Sequence, residues 1–203
     1  MSNSQAGRTS SHDTAYQQIE DALWSDLAQR SWSEVSLAAV AEDLVLDPVQ
    51  VQLLAGSKTD IIIRKLTEID KAALMQSNAD FADDPDASMH EKLLEGLLCR
   101  FEHYQPHKMQ MQNLHKASLR NPALAAHLLG QLTKTMDKLL AICGDSQPSW
   151  QRQARIEGMI GIVLSVRRDW QDDDTPDLAK TTKLLDKRLQ QAAEWAASLK
   201  LIS

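Results

Sequence analysis

Apolar residues recur at spacings of three and four through most of this chain, and polar capping residues divide the pattern into segments. Tyr16, Ile19, Leu23 and Leu27 mark one face of a first helix over about Thr14 to Arg30. Ser36 caps a short second helix with an inward face of Leu37, Val40, Ala41 and Leu44. Asp47-Pro48 opens a third short helix that ends before Gly56. Ser57-Lys58-Thr59-Asp60 is close to a capping box and starts a longer helix through Ile62, Leu66, Ile69 and Ala73. Asn78 to Ala87, with its Asp-Asp-Pro-Asp run, reads as a solvated loop. Ser88 and Glu91 box the start of a fifth helix, whose stripe is Leu93, Leu94, Leu97, Leu98 and Phe101, and Gln105-Pro106 breaks it. A sixth runs through Met109, Met111 and Leu114. Asn121-Pro122 caps a seventh, which continues through Leu132, Met136 and Leu140 to near Gly144. Ser149 opens an eighth from Trp150 to Trp170, and Thr175-Pro176-Asp177 opens a ninth that runs to about Leu199. No segment alternates with a period of two. The pattern predicts an all-α chain of nine helices.

Composition narrows the class. With 43% hydrophobic residues in 203, a core of ordinary size can be buried. No run of about 18 apolar residues occurs, so no membrane span is expected. Residues 1–13 are polar, without the apolar run of a signal peptide, and are expected to be a disordered tail. Cys99 and Cys143 sit far apart in apolar helical patterns, which reads as reduced core thiols in a cytoplasmic protein, with a disulfide as the alternative. Net charge is −6, and its placement is uneven: three basic residues against eight acids leave −5 on residues 1–58, while 19 basic and 20 acidic residues nearly cancel in the rest.

The first three helices are long, short and short, and Val45-Leu46-Asp47 joins the last two as in a helix-turn-helix. The ordered set Ser36-Leu37-Ala38-Ala39-Val40-Ala41, then Asp47-Pro48, then Ser57-Lys58 before Ile61, resembles the TetR family of transcriptional regulators. Trp32 and the segment Trp170 to Leu189 add to the likeness. The resemblance implies a DNA-binding-like domain over 14–58 and a ligand-binding and dimerisation domain over 59–203. It implies contacts to duplex DNA through Ser36, Gln50, Val51, Gln52 and Lys58, and a homodimer released from its operator by a small apolar ligand. Two departures oppose this. Gln52 and Ala55 stand where the family usually carries Tyr and Phe, and Pro48 to Leu54 holds no Lys or Arg. A net −5 on the module works against a polyanion, although Gln50 and Gln52 suit adenine edges. The alternative is a helix-turn-helix that packs without binding DNA, in a protein that binds lipid or a partner protein.

The same resemblance implies a cavity enclosed by the fourth to seventh helices and lined by Leu97, Phe101, Met109, Met111, Leu114, Leu132 and Met136. Such a lining would take an apolar or lipid-like ligand, and ordinary core packing is the other reading. Gly158 and Gly161 each cost about 1 kcal/mol in a helix interior, which suggests close backbone approach there. With Leu185 and Leu189 they are expected at the dimer interface, the alternative being tight packing within one chain. Trp150-Gln151-Arg152 and Leu185-Asp186-Lys187-Arg188-Leu189 also resemble a TetR-fold lipid-binding family of ubiquinone biosynthesis that has lost DNA binding. That family carries a further C-terminal amphipathic helix, which is not expected in a sequence ending at Ser203.

Other constellations carry less. His103 and His107 are four apart, but Pro106 lies between them and is expected to turn the rings apart. His90, His115 and His127 are isolated. Asp172-Asp173-Asp174 reads as a solvated loop whose last acids favour the next helix N-terminus. No phosphate loop, nucleophile elbow or Cys-x-x-Cys occurs, so no enzymatic activity, cofactor or metal is expected.

Overall fold

The structure, a computed structural model, describes residues 3–146 and 149–198, with side chains from Asp13 onward. Among the described residues there are nine α-helices and no strand: α1 (Asn3–Gln29), α2 (Leu37–Asp43), α3 (Pro48–Ala55), α4 (Lys58–Asp83), α5 (Met89–Tyr104), α6 (Lys108–Ser118), α7 (Pro122–Ile142), α8 (Ser149–Gln171) and α9 (Ala179–Ser198). A 3-10 turn, Gln105–His107, lies where Pro106 was expected to break the helix. Three boundaries differ from the sequence reading. The segment 3–13, expected to be disordered, continues α1, since no proline interrupts it and extension of an existing helix is cheap. α4 runs on through half of the expected loop, to Asp83, stopping just short of Pro85. α9 begins at Ala179 rather than near Pro176.

The chain divides into two compact units, and the division falls inside α4 and α7 rather than at the expected 58/59 boundary. The first holds the residues up to Thr67 together with His107–Leu128. Its core is Ile19, Leu23 and Leu27 of α1, Val40 and Ala41 of α2, Val51 and Ala55 of α3, Ile61, Ile62 and Leu66 of α4, and Leu114 of α6. One charged residue is wholly enclosed with them. Glu20 is 0% exposed, and Lys65 (3.3 Å) and Arg64 (3.6 Å) reach its two oxygens. The last carbonyls of α1 have no partner within the helix, and α6 supplies them. Asn113 donates to Leu27 O at 2.9 Å and Arg30 O at 3.3 Å. Beside them the Trp24 indole donates to His107 Nδ1 at 3.2 Å.

The ends of α2 and α7 close in the same way. Leu46 N bonds Ala41 O and Val45 N bonds Glu42 O, as Asp145 N bonds Leu140 O and Gly144 N bonds Ala141 O. This double closure puts the residue after the cap in the left-handed region, usually a glycine. At α7 it is Gly144, φ 82°; at α2 it is Val45, φ 54°. A β-branched residue there is strained by about 1–2 kcal/mol.

In the second unit, Asp70 of α4 is buried and accepts four hydrogen bonds. They come from Arg100 Nε (2.9 Å) and Tyr104 Oη (3.0 Å) of α5, and from Gln131 Nε2 (3.3 Å) and Thr135 Oγ1 (2.7 Å) of α7. Near it Gly96 lets α5 approach α7: a Cβ there would stand 2.5 Å from Leu139 Cδ1. Phe101 packs on Trp170 with centroids 5.4 Å apart. Asp173, expected in a solvated loop, is fully buried and takes donors from Thr175 and from Thr181, backbone and hydroxyl of each, so it closes the α8–α9 turn. These four bonds outweigh burial and hold its carboxyl well below the usual range.

Asp70→Ala should cost about 3–5 kcal/mol in urea denaturation, because it leaves the Arg100 guanidinium buried without a counter-charge. Asp70→Leu with Arg100→Met should recover most of that loss. The Trp24–His107 pair gives a pH signature. Burial first, and Lys65 second, hold His107 below its ordinary value of 6.5. The unfolded chain therefore binds that proton more readily. Stability is present above 6.5 and lost as pH falls through the folded pKa. The urea midpoint should drop more between pH 7 and 5 in the wild type than in His107→Gln, which keeps an acceptor that does not titrate.

Candidate functional site

Asp47 caps α3 by accepting from Val49 N at 2.9 Å, and Pro48 follows at the first helical position, so the third helix starts where the sequence placed it. It presents Val49, Gln50, Gln52 and Leu53 outward and turns Val51 and Ala55 into the core. Gln50 and Gln52 are exposed, as base-reading residues need to be. Val51 is 1% exposed, which corrects its assignment as a DNA contact: it is the inward half of a helix too short to show a clear face by periodicity. Ser36 Oγ accepts from Ala39 N at 3.2 Å and serves as the N-cap of α2.

Lys58, the expected phosphate contact, points inward. Its Nζ donates to Trp32 O at 2.6 Å and Val35 O at 2.9 Å and lies 4.4 Å from the Trp32 ring centroid. Burial lowers its pKa. The other described cations before Thr67 are also engaged. Lys65 bridges Glu20 and Asp21 (2.9 Å); burial would lower its pKa, but the hydrogen bonds to these carboxylates outweigh that and raise it. Arg64 stacks on Tyr16 at 4.2 Å, and Arg30 reaches Asp26 at 3.8 Å. Arg30 and Arg64 are about half-exposed, and further exposed positive charge of this unit lies at Lys116 and Arg120. The last two line a cleft of about 490 Å³ with Trp32, Ser31, Asn113 and Asn121.

The seven residues expected around a ligand are divided. Leu97, Phe101, Leu132 and Met136 are buried in the second unit; Leu114 is buried in the first, where Met111 is half-buried and Met109 is 54% exposed. Exposure removes Met109 from any lining. The interior of the second unit was expected to be apolar, and it contains the Asp70–Arg100 pair. Gly158 and Gly161 lie on an open face of α8, and a Cβ at either would meet nothing within 4 Å. Leu185 and Leu189, expected at the same interface, are buried within the unit, so they hold α9 in place instead.

The two motifs that pointed to the lipid-binding family are structural here. Arg152 bonds Asp137 Oδ1 at 2.8 Å and its carbonyl at 2.7 Å, joining α8 to α7, and Gln151 is buried. Asp186 meets His90 Nε2 at 2.7 Å, joining α9 to α5. His103 bonds Cys99 O at 3.0 Å, so it and His107 have different partners. Both cysteines are free and buried, and burial pushes the Cys143 thiol up to about 12. No group of His, Cys, Asp or Glu among the described residues has the arrangement of a metal site.

No protein-family model matches the chain, and no curated protein matches it. Solved structures do. A TetR transcriptional regulator from Nitrosomonas europaea matches with a TM-score of 0.69 at 14% identity, over 89% of this chain and 98% of that one. The multidrug binding protein EbrR, solved with imidazole, matches with a TM-score of 0.55 at 21% identity, over 85% and 93%. The chain has the TetR fold.

Lys58→Met keeps the aliphatic stem and removes the donor to two carbonyls. It should lower stability by about 1–3 kcal/mol in urea denaturation. A lysine serving only as a phosphate contact would show no loss.

Proposed function

We propose that this chain is a TetR-fold binding protein that works as a homodimer and does not use duplex DNA as its ligand. One observation carries the reading: Lys58 and Lys65 are turned onto partners in their own unit, Arg30 and Arg64 rest at the surface against Asp26 and Glu20, and α3 carries no base of its own. Duplex affinity rests largely on neutralised phosphates, and each of these four cations would have to share or leave its present partner to supply one. A second reading, the operator-binding regulator released by a small ligand, is supported by the fold and by the outward Gln50 and Gln52. EbrR, a multidrug binding protein, supports a small apolar or lipid-like ligand for the second unit as well, beside Leu97, Phe101, Leu132 and Met136. No helix among the described residues is long and apolar enough to cross a membrane, and a cytoplasmic location is part of the proposal.

Homodimerisation is proposed through the open face of α8. Two glycines in a helix interior cost about 1 kcal/mol each, and nothing among the described residues approaches them to explain that cost. A second α8 crossing at this face would.

A fluorescence titration with random-sequence duplex at about 50 mM salt should show no binding, since even non-specific phosphate contacts register there. Binding that weakens steeply with salt would establish the regulator instead. In sedimentation, Gly158→Leu with Gly161→Leu should shift the dimer to monomer while helix content and urea midpoint hold or rise. A wild-type chain that sediments as a monomer at high concentration removes the dimer.

A further inference from the structure

We propose that the outward face of α3 and the turn before it form a docking site for a basic, amphipathic segment of another protein. This rests on the reading above that the head does not hold DNA. Val45, Val49 and Leu53 are 91%, 64% and 81% exposed, within nine residues of one another in the chain. Val49 and Leu53 are four apart in a helix, so their side chains share one face. Single exposed apolar residues are ordinary on a protein surface, but a cluster marks an interaction site.

Val45 adds an independent argument. It occupies the left-handed position that closes α2, where Gly144 stands in the equivalent closure of α7. Glycine relieves the strain at this position. The valine side chain contributes little to the core, being almost wholly in solvent, so folding gives no reason for it. A strained residue whose side chain serves no packing role is the pattern of a functional position.

Charge selects the occupant. Glu42 and Asp43, just before Val45 in the chain, and Asp47, between Val45 and Val49, are exposed. Acids that rim an apolar face repel DNA, an anionic membrane and a second copy of the same face. They attract lysine or arginine flanking an apolar stripe, the chemistry of a basic amphipathic helix or strand. Gln50 and Gln52 supply amides for the partner's polar groups.

The probe is a fluorescein-labelled 18-residue helical peptide of leucine and lysine, with a leucine and glutamate peptide of the same pattern as its opposite, titrated into the full chain. The lysine peptide should bind, more weakly at 300 than at 50 mM salt, and the glutamate peptide should not. Val45→Gly, Leu53→Ser and the pair Glu42→Gln with Asp43→Asn should each weaken binding about tenfold or more. Val45→Gly should meanwhile keep or raise the urea midpoint, which separates lost binding from lost fold. Leu119→Ser, at an exposed apolar residue elsewhere, should leave the affinity unchanged. No affinity for the lysine peptide, or affinity that survives Val45→Gly and Leu53→Ser, overturns the docking site and leaves the proposed function standing. Salt-sensitive binding of random duplex overturns both.

Discussion

A carboxylate sealed inside helices, with every oxygen lone pair engaged, is the interaction on which this structure turns. Asp70 takes two donors from α5 and two from α7, so three helices of the second unit share one anion. Attraction across a buried pair does little more than offset the cost of removing both charges from water, while losing one partner leaves that cost uncompensated. The pair therefore acts more on which packing is allowed than on how stable it is. Other packings of these helices strand a charge. Glu20 plays a similar part in the first unit with Lys65 and Arg64, and Asp173 does so in the α8–α9 turn with hydroxyl and backbone donors in place of a cation.

Inward use of charge has a consequence at the surface. In the first unit Arg64 and Lys65 hold Glu20 and Asp21, while Lys58 closes the carbonyls that follow α1. What remains on the outward side of α3 is two glutamines, apolar residues and acids. Contacts from Gln50 and Gln52 to base edges would discriminate between sequences. Affinity for the duplex comes largely from phosphate contacts, which glutamines do not neutralise. The geometry of a DNA reader and the electrostatics of one are separable, and the fold conveys only the first.

Helix order was legible because capping residues and apolar stripes are local signals. Ser36, Asp47 and Ser88 cap where the sequence put them, and α7 ends at the glycine that marks its close. The buried charges were not read, though their register was visible. Glu20 lies four residues past Tyr16, Asp70 four past Leu66, and Arg100 three past Leu97, each on its helix's apolar stripe. A charge in that register is tolerable only with a partner, and the partners are remote: Arg100 is 30 residues from Asp70, and Thr135 is 65. Spacing within one helix cannot supply them. The assignments that failed are of the same kind. Val51, Leu185 and Leu189 were placed outward by analogy, whereas their burial is decided by neighbouring helices. Lys58 was expected at a phosphate, but the direction of a flexible four-carbon stem follows from which acceptors lie within reach.

The two helix closures show how a local rule and a surface role can be told apart. Gly144 and Val45 take the same left-handed turn, and in each closure the N–H of that residue and of the next donate to carbonyls of the last helical turn. The glycine meets the requirement without strain; the valine meets it against the repulsion between its Cβ and the following carbonyl. Packing normally repays such strain by burying the side chain, and a buried valine gains about 1.5–3 kcal/mol over an exposed one. At Val45 that gain is absent in the isolated chain, because the side chain stands in water. A partner that covers it would restore the gain. The strain is present with or without a partner, and what would offset it is burial across an interface rather than within the fold.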